Sequence, residues 1–185
     1  MQTTPVRWTT ADLELFAGDR RKRYEIIDGE LFVTKSPSWD HQSSCGNIVT
    51  VLNNWSEETS LGKAAIAPGI IFSDSDNVIP DVVLASHERL KNLLDEAGHL
   101  TGAPELVVEV LSPGEKNEKR DKETKLKLYS VQEVQEYWIC DSIQKKVEVY
   151  RREQAALKLA ATLFNQDELT SPLLPGFNCL ISKLF

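Results

Sequence analysis

Four side chains sit where their chemistry is at odds with their neighbours. Glu109 lies among Val107, Val108, Val110 and Leu111. A buried carboxylate without a partner is strongly unfavourable, so Glu109 ends at solvent, pairs with a cation or holds a metal. Asp81 follows Pro80 and precedes Val82-Val83-Leu84. Pro80 has no N–H for a central ladder, so this stretch enters its strand at a bend or an edge. A carboxylate there either caps a turn or points into a cleft. Two carboxylates on neighbouring strands suit a hard divalent cation. Mg²⁺ takes one or two of them, with water and phosphate oxygens completing its shell.

Lys125 follows in a stretch with helical spacing. At roughly 100° per residue, Asp121, Lys125, Leu128 and Tyr129 share one face, and Lys127 points the other way. If the apolar members turn this face to a sheet, Lys125 points inward and needs a carboxylate or phosphate. The alternative is a lysine whose stem lies at the rim of the interface. Glu25 alternates with Tyr24 and Ile26; it is either a third acid of the same site or an exposed strand residue.

The elements that must position these groups follow from pattern. Thr9 or Thr10 can cap a short helix over Ala11–Gly18. Asp28-Gly29 between Tyr24–Ile27 and Leu31–Val33 signals a hairpin. His41–Thr59 has helical periodicity, with Gly62 as its stop. Strands are expected at Ala64–Phe72 and Val78–Ala85, with the polar run Ser73–Asn77 turning between them. His87–Ala97 reads as a helix and Glu105–Leu111 as a central strand. A helix over Glu118–Gln132 and strands at Glu136–Cys140, Val147–Arg151 and Leu157–Phe164 follow. This order describes an α/β (α+β) chain, a mixed sheet with helices packed against it. Its 185 residues, without repeat or flexible linker, are expected to form a single domain over 1–185.

Composition narrows the function. Hydrophobic residues make up 41% and charged residues 26%, which excludes disordered and low-complexity architectures. No apolar run is long enough to span a membrane, and Met1–Phe16 lacks the pattern of a secretory signal. Cys45, Cys140 and Cys179 lie far apart with no CxxC pair, as expected of buried thiols in a reducing cytoplasm. The net charge of −7 argues against a binder driven by overall charge. Two basic clusters nonetheless stand out, Arg20–Arg23 and Lys116–Lys127, each expected as solvated surface. There is no GxSxG elbow, P-loop or dinucleotide fingerprint, and His41, His87 and His99 lack a spacing such as HExxH.

Five segments in order carry a resemblance. They are Tyr24–Leu31 (YEIIDGEL), Pro80–Val83 (PDVV), Pro104–Pro113 (PELVVEVLSP), the set Asp121–Lys125–Tyr129, and Glu136–Asp141 (EYWICD). From Thr9 to Phe177 the chain resembles the Uma-type putative restriction endonuclease family of the PD-(D/E)XK nuclease superfamily. The resemblance implies a restriction-endonuclease-like fold, a mixed β-sheet flanked by helices with an N-terminal β-hairpin. It also implies Mg²⁺-dependent hydrolysis of nucleic-acid phosphodiesters, with Mn²⁺ as a substitute. Asp81 and Glu109 match the metal-binding acids, Glu25 the additional acid of the hairpin, and Lys125 the catalytic lysine moved to the following helix. The superfamily's usual lysine position, two residues after the second acid, holds Leu111 here. His41 matches a histidine that opens the next helix, at the rim of the site or without a role in it. The implied partners are nucleic acid, DNA first, and a second copy in a homodimer. The apolar tail Leu173–Phe185 and the C-terminal strands are candidates for that interface.

Two other functions fit the same residues. The chain could be a catalytically silent nuclease-fold module for binding or assembly, which its acidic total favours. It could also be a metal hydrolase acting on another substrate, because the acids and the lysine specify phosphate and metal chemistry better than they specify a polymer.

Overall fold

The computed structural model describes residues 6–19 and 21–185. Arg20 of the first basic cluster lies outside them, as do Met1–Pro5 of the segment read for a secretory signal. The first helix is a 3₁₀ segment, Thr10–Phe16, begun by a capping box between Thr9 and Asp12. Strands β1 (Lys22–Ile27) and β2 (Glu30–Lys35) form the expected hairpin. Asp28 (φ 50°) and Gly29 (φ 71°) both take the left-handed conformation that a two-residue turn of this hand requires. Helix α1 runs Trp39–Thr59, and the Ser38 hydroxyl accepts the His41 N–H at its start. It ends at Ser60, itself left-handed at φ 57°. Gly62 is not the stop; it opens β3 (Gly62–Ile66).

Each of the two strands expected after α1 divides in two. β3 is separated from β4 (Ile70–Ser73), and β5 (Asp76–Val78) from β6 (Val82–Ser86). The breaks fall at Ala67-Pro68-Gly69 and Ile79-Pro80-Asp81, where a proline withholds its ladder donor. The chain therefore changes sheet twice. β1, β2, β4 and β5 make a small sheet in the order β2-β1-β5-β4.

The larger sheet takes β3 and β6 with β7 (Leu106–Val110), β8 (Glu136–Asp141), β9 (Lys146–Glu153) and β10 (Ala156–Phe164). Its order is β10-β9-β8-β7-β6-β3. β7 pairs antiparallel with β6 and parallel with β8. Parallel neighbours need a crossover. Here it holds α3 (Glu115–Lys119), a π-helical stretch (Arg120–Lys125) and α4 (Leu126–Val131), where a single helix was expected. Helix α2 (His87–Leu93) is shorter than its pattern suggested.

Both faces of β7 are buried, which explains why Glu109 is its one polar residue. Val108 and Val110 pack with Ile48, Leu52 and Trp55 of α1; Val107 packs with Leu128 and Tyr129 of α4. The C-terminal segment adds a two-stranded sheet, β11 (Glu168–Thr170) with β12 (Asn178–Leu180). Leu174, Phe177, Ile181 and Leu184 sink into the same cluster as α1. Most of the apolar tail is thus taken up by its own core, and Leu173, Leu180 and Phe185 stay partly exposed. Among the described residues no helix is long and apolar enough to cross a membrane.

Candidate active site

The site lies at one end of the β6–β7 pair. The register sets Val82 across from Val108, so Asp81, just before β6, and Glu109, near the end of β7, meet there. The Val110 N–H donates to Asp81 Oδ2 at 2.9 Å, tying the acid to the neighbouring strand. His41 Nε2 lies 3.1 Å from the same oxygen, brought there by the first turn of α1. Arg23 of β1 holds Oδ1 at 2.9 Å and also donates to the Ile79 carbonyl at 3.0 Å.

Glu109 turns toward the crossover. Its Oε1 accepts from Lys125 Nζ at 2.8 Å and from the Tyr129 hydroxyl at 3.0 Å. Lys125 Nζ is also 2.8 Å from Glu25 Oε1, which accepts the Ile79 N–H at 2.9 Å. Asp121, Lys125, Leu128 and Tyr129 are all buried and Lys127 is exposed, following the helical spacing despite the π-helical stretch. Asp121 is gripped by Arg120 through Nε at 2.8 Å and Nη2 at 3.1 Å. Of the three outcomes open for Glu109, the structure has a cation pair. Glu25, Ile26 and Ile27 are buried in succession, so β1 has no exposed face at this point.

Four acids, Glu25, Asp81, Glu109 and Asp121, are therefore met by Arg23, His41, Arg120 and Lys125. Burial alone would discharge His41, yet the Asp81 carboxylate raises its pKa from 6.5 to about 10. Burial would raise Asp81, but His41 and Arg23 hold it well below the usual carboxylate range. Glu109 is raised, first by burial and then by its acidic neighbours, against the pull of Lys125. Burial disfavours the Lys125 ammonium, and Glu109 with Glu25 outweighs it, so the amine stays charged.

A cleft of 210 Å³ opens onto Arg23, Glu25, His41, Asp81 and Arg120. Glu109 and Lys125 lie behind this lining, each 1% exposed. A second groove of 650 Å³ shares Thr34 and Arg120 with the cleft and carries Lys116 and Lys119. The two basic clusters, far apart in sequence, thus meet along one surface. Their outer members remain solvated as expected, but they are concentrated in one place.

Sequence reasoning missed Arg23 and Arg120 as partners, because both sit in runs of charge that read as surface. It also missed Cys45, whose Sγ is 3.6 Å from His41 Nδ1. The available signal was a histidine and a cysteine four apart on a helix. The donor chemistry suits a hard cation: Asp81 and Glu109 supply carboxylate oxygens, and Glu109 Oε2 has no hydrogen bond among the described residues. Asp81 would have to release His41 to join it.

The model of the Uma2 family, described as "Putative restriction endonuclease", matches residues 11–182. A solved structure of a putative nuclease belonging to DUF820 from Anabaena variabilis ATCC 29413 superposes with a TM-score of 0.75 at 21% identity. The match covers 98% of each chain, and at that identity it establishes the fold. No curated protein matches.

Proposed function

Since the chain belongs to the Uma2 family of putative restriction endonucleases, we propose that it is a metal-dependent endonuclease acting on DNA. The observation that carries this reading is the convergence of Asp81, Glu109 and Lys125 beneath a cleft rimmed by both basic clusters. Asp81 and Glu109 would hold Mg²⁺ or Mn²⁺, and a cation bound there would supply Lewis-acid chemistry toward phosphate and water.

The chain's own residues do the rest. Arg23 and Arg120 draw the phosphate into the cleft and fix its orientation. Lys125 places a positive charge where negative charge develops on the phosphorus oxygens. Glu25 and Tyr129 orient Lys125 and Glu109, so that little reorganisation is needed during reaction. His41 fixes the Asp81 carboxylate through Oδ2. Cutting both strands requires two sites, so a homodimer belongs to the proposal. Leu159 and Phe164 of β10, about half exposed, are candidate contacts among the C-terminal strands. Three free, buried thiols suit a cytoplasmic setting.

The test is cleavage of supercoiled plasmid DNA, single-stranded DNA and RNA, with and without Mg²⁺ or Mn²⁺. Asp81→Asn and Glu109→Gln should each lower metal-dependent cleavage at least ~100-fold while preserving the circular dichroism spectrum. Unchanged cleavage in either variant would sink the assignment. The mutual neutralisation of four acids by four bases favours a second reading, a binding module without turnover. Metal-independent nucleic-acid binding with no cleavage by the wild type would select it.

A further inference from the structure

Hydrolysis of a phosphodiester has no use for a thiol, yet Cys45 is packed against the site. It stands one helical turn after His41, so the two side chains leave α1 on the same face. His41 Nδ1 contacts Cys45 Sγ at 3.6 Å, and His41 Nε2 contacts Asp81 Oδ2 at 3.1 Å. Ligand atoms from all three residues lie within 4.8 Å of one another, and all three residues are buried.

We propose that His41, Cys45 and Asp81 form a site for a thiophilic divalent cation of the zinc class, which excludes a hard cation by taking Asp81. The soft site stands on its own geometry; the exclusion rests on the reading of Asp81 as a hard-metal ligand.

The donor set is one nitrogen, one sulfur and one oxygen. Zinc binds all three types and in reactive sites keeps a fourth position open. Sulfur selects against Mg²⁺ and for softer ions. Tetrahedral zinc with bonds of about 2.0–2.3 Å needs donors about 3.3–3.8 Å apart. The imidazole uses opposite nitrogens for its two contacts, so the ring must pivot for one nitrogen to face both partners. With donors already within 4.8 Å, that pivot and small shifts of the other two side chains close the set on an ion.

Charge is conserved in the exchange. A thiol, an imidazolium and a carboxylate sum to zero. So do a thiolate, an imidazole, a carboxylate and a divalent cation, with two protons released to solvent. Arg23 can therefore keep its bond to Asp81 Oδ1. The Val110 N–H orients the carboxylate from the neighbouring strand, as outer partners of metal ligands do. Because His41 and Asp81 line the cleft, an ion has a route in.

Co²⁺ is the probe, titrated into the full chain and followed by absorption. The wild type should develop a saturable thiolate-to-cobalt band at one equivalent, and Zn²⁺ should abolish it. Cys45→Ser should lose the band and Cys179→Ser should keep it. His41→Asn, available if the cysteine variant does not fold, should weaken Co²⁺ binding at least about 10-fold. Absence of the band, or its persistence unchanged in Cys45→Ser or His41→Asn, overturns the site. Excess Mg²⁺ should lower the apparent Co²⁺ affinity, and an unaltered affinity overturns the exclusion. A band in a protein that cleaves nothing supports the soft site while removing the hydrolytic reading, so the two failures are separate.

Discussion

The ammonium of Lys125 is shared by two carboxylates, and this explains how an acid can sit inside an apolar strand. A lysine at a position with Leu128 and Tyr129 must enter the sheet interface, so its inward direction was legible from helical spacing. That it would bridge two of the site's acids at once was not, because Glu25 comes from another sheet. Arg23 and Arg120 were hidden for a different reason: a long side chain in a charge run can reach inward or outward, and only packing decides. The pair on the other side of the site has a pH signature. Asp81 raises the His41 pKa, so His41 stabilises the fold fully below 6.5 and progressively less as pH climbs to about 10. Asp81 is shifted the opposite way, so its contribution is present above 3.8 and lost on acidification below that value. The pair's contribution in metal-free buffer is the difference in urea stability between wild type and His41→Asn. It should be greatest between 3.8 and 6.5 and decline on the alkaline side by up to about 1.4 kcal/mol per pH unit. A difference that ignores pH would show that the ion pair contributes nothing.

At the level of elements, the end of α1 and the start of β3 lie two residues apart and make opposite demands. Ser60 adopts φ 57°, a conformation that costs an L-residue about 1 kcal/mol and glycine almost nothing. Ser60→Gly should therefore raise urea stability by about 0.5–1 kcal/mol. Gly62 faces the β6 backbone, where an added Cβ would lie 2.7 Å from the Ala85 carbonyl oxygen. Backbone cannot rotate away, so Gly62→Ala should destabilise by about 1–3 kcal/mol. A reversed sign for either variant would contradict the corresponding backbone geometry. The same segment shows what periodicity can and cannot supply. The hairpin, α1 and β7 carry strong local signals and were legible. The sheet changes at Pro68 and Pro80 were not, because a proline announces a break without saying which sheet the chain joins next.

For the whole molecule, a net charge of −7 coexists with a groove that gathers Arg21, Lys22, Arg23, Lys116, Lys119 and Arg120. Charge totals predict neither solubility of a patch nor its partner; placement does. If the groove follows a phosphate backbone, Arg21→Ala and Lys119→Ala should weaken nucleic-acid binding across sequences. Each should lower the slope of log affinity against log salt by about 1. Lys158→Ala, on the exposed surface of β10, should leave that slope unchanged. Equal slopes for all three proteins would place the binding surface elsewhere. The hairpin that supplies part of this groove also sets the order in which the site comes together. Lys125 reaches Glu109 over 16 residues, and Val110 reaches Asp81 over 29. The hairpin's links, Glu25 to Ile79 and Arg23 to Asp81, span 54 and 58 residues. Closing longer loops loses more chain entropy, so contacts local to the β6–β7–crossover unit have the kinetic advantage. These separations predict that the acid and its lysine meet before the hairpin arrives as a cover, an order that φ-values would read as higher in β7 than in β1. The same order run backwards predicts an opening in which the cover lifts while β6 and β7 are still paired, read as faster amide exchange in β1 and β2 than in β7, and Glu109 and Lys125 then meet water.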